Sequence, residues 1–152
     1  MILLFPDALL ALEEEQRRKI ACILVLVAAA DGTLVREEMA AIEAAMGAMM
    51  LHPESREEVR QLLTEPPELD SILEGMEEAA IRLALRDGAI VASVDGEYDE
   101  MELDILKKIA DAGGLSKSKM SMVLNWVSKC WKGVAEGRKI IATPIPGDEG
   151  IL

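Results

Sequence analysis

Two pairs of carboxylates stand at matching positions in this chain. Asp31 is followed by Gly32 and, seven residues past the aspartate, by Glu38; Asp95 is followed by Gly96 and, at the same spacing, by Glu102. Carboxylate oxygens are hard donors, suited to calcium or magnesium. An EF-hand loop often has aspartate at its fifth position, glycine at the sixth, an apolar residue at the eighth and glutamate at the twelfth, which gives the same separation. The parallel is partial, because the first and third ligand positions would fall on Val27 and Ala29 in one copy and on Val91 and Ser93 in the other. One corner alone therefore offers too few oxygens. Two corners facing each other would offer Asp31, Glu38, Asp95 and Glu102, with carbonyls and waters completing the shell of a Ca²⁺- or Mg²⁺-type ion. Turn chemistry explains the same residues without a metal: Asp-Gly ends helices, and a glutamate in the first turn of the next one is favoured by capping and by the helix dipole.

What ties the corners together is an internal repeat. A shift of 64 residues lays VAAADGTLVREEMAAIEAA over VASVDGEYDEMELDILKKI. Val27 then matches Val91, Ala28 matches Ala92 and Leu34 matches Tyr98, in addition to the Asp, Gly and Glu positions. Each copy reads as a buried helix, an Asp-Gly corner and an amphipathic helix. A duplicated helical hairpin suggests two units packed about a pseudo-twofold axis, which would bring the corners onto related faces.

The elements that must position these residues are helical throughout. Aromatic residues and β-branched runs are scarce while Ala, Leu, Met, Glu and Lys abound, so the expected class is all-α: a compact bundle of about seven helices. A first amphipathic segment is expected over 6–17, a helix apolar on nearly every side over 18–30, and a third over 36–50 with Met39, Ile42, Met46 and Met49 on one stripe. Pro53 opens a short helix to about 63, and TEPPELDS at 64–71 is the hinge between the halves. A helix, or a broken pair, follows over 68–94 with Gly75 and Gly88 as weak points; Asp99 and Glu102 form a capping box that starts the next one, to Ala112. A last helix is expected over 116–136, with Met120, Val123, Val127 and Trp131 as its apolar stripe. The resulting division is a single helical domain over 1–139, with repeat halves at 18–63 and 68–112, and a flexible tail over 140–152 in which Ile140 and Ile141 could serve as an anchor.

The repeat, and above all LALRDGAIVASVDGEYDEMELDILKKIADAGGLS at 83–116, resembles the TerB family of tellurite-resistance proteins and its relatives, including the N-terminal domain of the co-chaperone DjlA. The resemblance spans roughly residues 18–120. It implies a two-halved all-α bundle with an acidic surface to which divalent-metal binding has been attributed. It also implies a role in tellurite and other stress responses, partners in membrane-associated assemblies, and no enzymatic activity. Carried over position by position, the acidic motif falls on Asp31 and Glu38 and on Asp95 and Glu102. The first copy departs from the pattern with Val35 where a capping serine or aspartate is expected.

Charge narrows the choice of partner. The net charge of −12 argues against nucleic acid and anionic membranes and for cations or basic proteins. It is uneven: residues 1–104 hold 24 acidic and 8 basic side chains, residues 105–152 hold 4 and 8. The basic group around Lys129, Lys132, Arg138 and Lys139 reads as a solvated face or as a contact for an acidic partner or headgroups. Cys22 and Cys130 lie among apolar residues with no disulfide or Cys/His pattern, MILLFPDALLAL lacks a basic leader segment, and the apolar run at 20–30 is too short to span a bilayer. A cytoplasmic protein without direct membrane insertion is the expectation.

Other side chains could also do chemistry. Asp87 interrupts an apolar stripe with Leu83, Ile90 and Val94, and its repeat mate is Ile23; a rim position paired with an Arg or Lys is the first expectation, a contribution to the acidic site the second. His52, the lone histidine, precedes Pro53 in a loop. Trp126 and Trp131, five apart, point their rings apart and suit a core or interface. No phosphate loop, HExxH motif or nucleophile-base set is present, so a non-enzymatic binding or sensing domain with a divalent cation bridging the corners is the leading expectation. The alternative is a metal-independent adaptor whose acidic face recruits a basic partner.

Overall fold

The computed structural model describes residues 8–94 and 96–141. Every regular element among them is helical, as expected: a 3-10 turn at Leu9–Ala11, then α1 (Glu14–Ala28), α2 (Arg36–Ala48), α3 (Pro53–Gln61), α4 (Leu69–Leu73), α5 (Glu78–Ala92), α6 (Glu100–Ala112) and α7 (Lys117–Ile141). None is long and apolar enough to cross a membrane.

The centre of the bundle is the pair α1 and α5. Residues 20–28 of α1 are buried on all sides, including Ile23, Leu24 and Val25, which is where a helix without a polar face must lie. Burying each such Leu or Ile fully is worth about 1.5–3 kcal/mol. α2 packs on α1 and on α5, α6 packs on α5 and on α1, α3 and α4 cover α1, and α7 lies across α5 and α6. Gly88 sits where three helices converge. A Cβ there would come within 3.3 Å of Leu106 on α6 and 3.4 Å of Val27 on α1. Gly88 is therefore no weak point, contrary to expectation: α5 runs through it unbroken because close packing takes up the space a side chain would need.

The break falls at Gly75 instead, at φ +76° between α4 and α5. Buried Gln16 holds it from across the bundle. Its side-chain amide donates to the Gly75 carbonyl at 3.1 Å, and its side-chain oxygen accepts the Glu77 N–H at 2.8 Å. Lys19 also donates to the Glu74 carbonyl. Backbone groups freed by the break are thus satisfied by α1 side chains.

Other boundaries shift for local reasons. Of the amphipathic segment expected over 6–17, the described residues form the 3-10 turn Leu9–Ala11, with Leu9 buried, and from Glu14 onward belong to α1. Leu12 is extended, and Glu13, Glu14 and Glu15 form the N-cap and first turn of α1, where negative charge favours the helix dipole. Arg17 and Arg18 pair with Glu14 and Glu15 at 3.1 and 2.8 Å. On α2 the inward face is Glu38, Ala41, Ile42, Ala45 and Met46; Met39, expected on the stripe, is exposed. α7 does bury Met120 and Val127 and half-buries Val123 and Trp131, but it continues to Ile141. Ile140 and Ile141 lie exposed on its last turn. Residues 142–152, most of the expected tail, lie outside the described residues.

Candidate functional site

Each corner is built by the same sequence of events. α1 ends at Ala28 and Gly32 takes φ +78°; α5 ends at Ala92 and Gly96 takes φ +97°. In this left-handed region glycine alone escapes Cβ strain, so both corners need glycine at this point. The chain then runs extended through Val35 or Asp99 and enters α2 or α6.

The structure places the four expected ligands as follows. Asp31 is exposed, and its Oδ1 accepts the Thr33 N–H at 2.8 Å, a turn-forming bond. Glu38 is 5 % exposed, and its Oε2 accepts the Val35 N–H at 3.0 Å. Glu102 is also 5 % exposed, and its Oε2 accepts the Asp99 N–H at 2.9 Å. Asp95 lies outside the described residues. Among the described residues no group of three or more His, Cys, Asp or Glu side chains is placed to hold a metal ion. The donor chemistry of the corners suits a hard cation, since it consists of carboxylates with no thiolate or imidazole.

The corners differ in what surrounds these shared parts. Asp99 caps α6 with its side chain, accepting the Met101 N–H at 2.7 Å, so the box with Glu102 is complete as expected. Val35 offers no acceptor, and α2 has only the glutamate half. The second corner is also tied to α7. The Trp131 indole N–H donates to Ser93 Oγ at 2.7 Å, and Ser93 Oγ donates to the Ile90 carbonyl at 3.0 Å. The repeat mate of Ser93 is Ala29, which can make neither bond. Beside Ser93 lies Tyr98, half-buried. Burial pushes the Tyr98 hydroxyl up; Ser93 nearby opposes the shift and the charge on Glu102 adds to it.

Asp87 is paired with an arginine as expected, but not on the rim. Its Oδ1 accepts from Arg86 Nε at 2.7 Å, and the carboxylate is 1 % exposed, as deeply buried as its repeat mate Ile23. The adjoining arginine supplies the compensating charge, which lets the carboxylate sit in the core. His52 is exposed, and its backbone joins α1 to the start of α3: its N–H donates to Glu14 Oε1 at 3.1 Å, and Ser55 Oγ donates to the same oxygen at 2.9 Å. Cys22 is buried, which pushes its thiol up and makes it a poor nucleophile.

Sequence reasoning missed the Gln16 clamp and the Trp131–Ser93 tether. Gln16 stands in the charged run EEEQRRK, where nothing in the sequence marks it as buried. For the second, Trp131 was already on the apolar stripe, and nothing in the sequence pointed to Ser93 as its partner.

Comparison of the chain with protein-family models, with curated proteins and with solved structures finds no match.

Proposed function

We propose that this chain is a non-enzymatic, stress-response binding domain of the TerB-like type, and that its working surface is the pair of Asp-Gly corners. One observation carries the reading. Glu38 and Glu102, 64 residues apart, are buried to the same extent and bond the same backbone position at the entrance of α2 and α6. A side chain that only capped a surface helix would be under no pressure to be buried twice over. The central pairing of α1 with α5, with α2 and α6 each packed on both, supports an arrangement of two related hairpins.

The ligand of this surface is a divalent cation of the calcium or magnesium type, taken by Asp31, Glu38, Asp95 and Glu102, and its binding favours one arrangement of the halves. The test is thermal unfolding with calcium, magnesium, manganese and zinc added in turn. Stabilisation follows mass action and reaches about 2.7 kcal/mol at a hundredfold excess over Kd. Combining Asp31→Asn with Asp95→Asn abolishes the response. An unchanged melting temperature and an unchanged backbone NMR spectrum under all four ions would sink the cation reading.

A second reading rests on the bonds themselves. Asp31, Glu38 and Glu102 each hold a backbone N–H, a role that needs no metal. On this reading the corners are structural, and the acidic surface recruits a basic segment of a partner protein. The same double variant then loses partner capture while showing no ion response to lose.

A further inference from the structure

The strongest unexplained surface belongs to α7. Its 25 residues carry six basic side chains and one acidic one, on a chain whose net charge is −12. The stripe that meets the body is Met120, Val127 and Trp131. A second stripe runs along the same helix at Lys119, Met122, Val123 and Trp126, the i, i+3, i+4, i+7 spacing of one helix face. Of these, Met122 is 58 % exposed and Trp126 37 %. This face borders an open recess of about 370 Å³ lined by Arg86, Leu115, Lys119, Met122, Val123 and Trp126. Among the described residues no acidic side chain lines it. Lys129, three residues beyond Trp126 on the same face, is exposed as well. The apolar part is thus bracketed by Lys119 and Lys129, about 15 Å apart at 1.5 Å per residue. Across Leu115 a second recess, of about 450 Å³, is lined in part by Leu103, Met120 and Leu124, with Lys107, Lys117 and Asp111 among its polar groups.

We propose that this face of α7 binds an acidic amphipathic helix of a partner protein, whose apolar side chains enter the recess and whose carboxylates meet Lys119 and Lys129. Charge complementarity selects the partner. A basic apolar segment would be repelled by the lysines, and a polar acidic one would leave Met122 and Trp126 uncovered. The net charge of −12 disfavours an anionic lipid surface as the occupant. Nucleic acid is disfavoured by the net charge and by the apolar lining. The surface is distinct from the Asp-Gly corners, so it stands or falls apart from the cation.

The test uses the full chain in EDTA and three fluorescein-labelled 14-residue helical peptides. All carry leucines at i and i+4, bracketed by Glu, Gln or Lys at positions ten residues apart. The glutamate peptide binds saturably by anisotropy, the glutamine peptide at least tenfold more weakly, and the lysine peptide not measurably. Backbone NMR shifts on binding centre on Leu115, Lys119, Met122, Val123 and Trp126. Lys119→Glu with Met122→Glu, both exposed positions, abolishes binding at an unchanged melting temperature; Trp126→Ala weakens it independently. Equal binding of all three peptides, no binding at millimolar concentration, or binding that survives the double variant overturns the proposal. So does capture by phosphatidylserine vesicles where the peptides fail, or a dimer in sedimentation that buries the same NMR signals.

Discussion

In the corner after α5, Asp99 caps α6 through its side chain and Ser93 ties the turn to Trp131 of α7; in the corner after α1 the equivalent residues are Val35 and Ala29, which can do neither. The backbone path is nevertheless repeated, with a left-handed glycine and a buried glutamate in each. Of these shared features, the glycine is what the path itself requires. The unshared ones have been added on the side where a further helix, α7, has to be seated. A cation that bridged the corners would therefore meet one restrained half and one freer half, and most of the ordering on binding would occur around Asp31.

The same asymmetry reaches into the core. At equivalent positions α1 carries Ile23 and Leu24 while α5 carries Asp87 and Gly88, and all four are buried. The pairing of Asp87 with Arg86 is the most vulnerable difference. Arg86→Leu leaves a carboxylate in the core without its adjoining guanidinium and should cost about 3 kcal/mol in chemical denaturation, whereas a leucine-for-isoleucine change at Ile23 should cost under about 1.5 kcal/mol. Equal small losses would show that α1 and α5 tolerate the same chemistry, and the asymmetry would then be cosmetic. Gly88→Leu comes next. It drives a side chain into Leu106 and Val27 and should cost about 2 kcal/mol by overpacking.

These two positions also show how far the sequence could be read. Helix class, the central apolar helix, both corners and the Asp99–Glu102 box are properties of short windows, and periodicity and capping rules reach them. Gly88 and Gly75 look alike in such a window. What separates them is distant: Val27 and Leu106 close around one, while Gln16 reaches across to hold the other. Met39 lies off the inward stripe that its spacing predicts for a similar reason, since Glu38 and Ala41 face the core and rotate it outwards. The four expected ligands were nameable from the repeat. Whether they act as ligands depends on the relation between the corners, which no local pattern specifies.

The caps offer a smaller and reciprocal test. Asp99→Ala should destabilise by about 1 kcal/mol, the ordinary worth of an N-cap, and Val35→Asp should stabilise by about 0.5–1 kcal/mol by completing the box that Glu38 half-forms. The two changes exchange the corners' capping chemistry. A Val35→Asp variant with no gain would mean that the half-buried valine side chain contributes as much as the missing cap.

The smallest effect is a titration. Tyr98 is the chain's single tyrosine and its repeat mate is Leu34, so only the second corner carries a phenol, and ultraviolet absorbance follows it alone. Its pKa is raised by burial and by the Glu102 charge. A raised folded value means that this group's contribution is fully present below the unfolded pKa, near 10, and is lost as pH rises through the folded one. Wild type should therefore lose stability above about pH 10 more steeply than Tyr98→Phe. The buried Cys22 thiol, also raised, is common to both and cancels in the comparison. Glu102→Gln removes the neighbouring charge while keeping an oxygen for the Asp99 N–H, so the phenol should ionise at lower pH than in wild type. Added calcium should move it in the same direction if the cation neutralises Glu102. A titration indifferent to both changes would separate Tyr98 from the acidic corner and leave it as packing against Ser93.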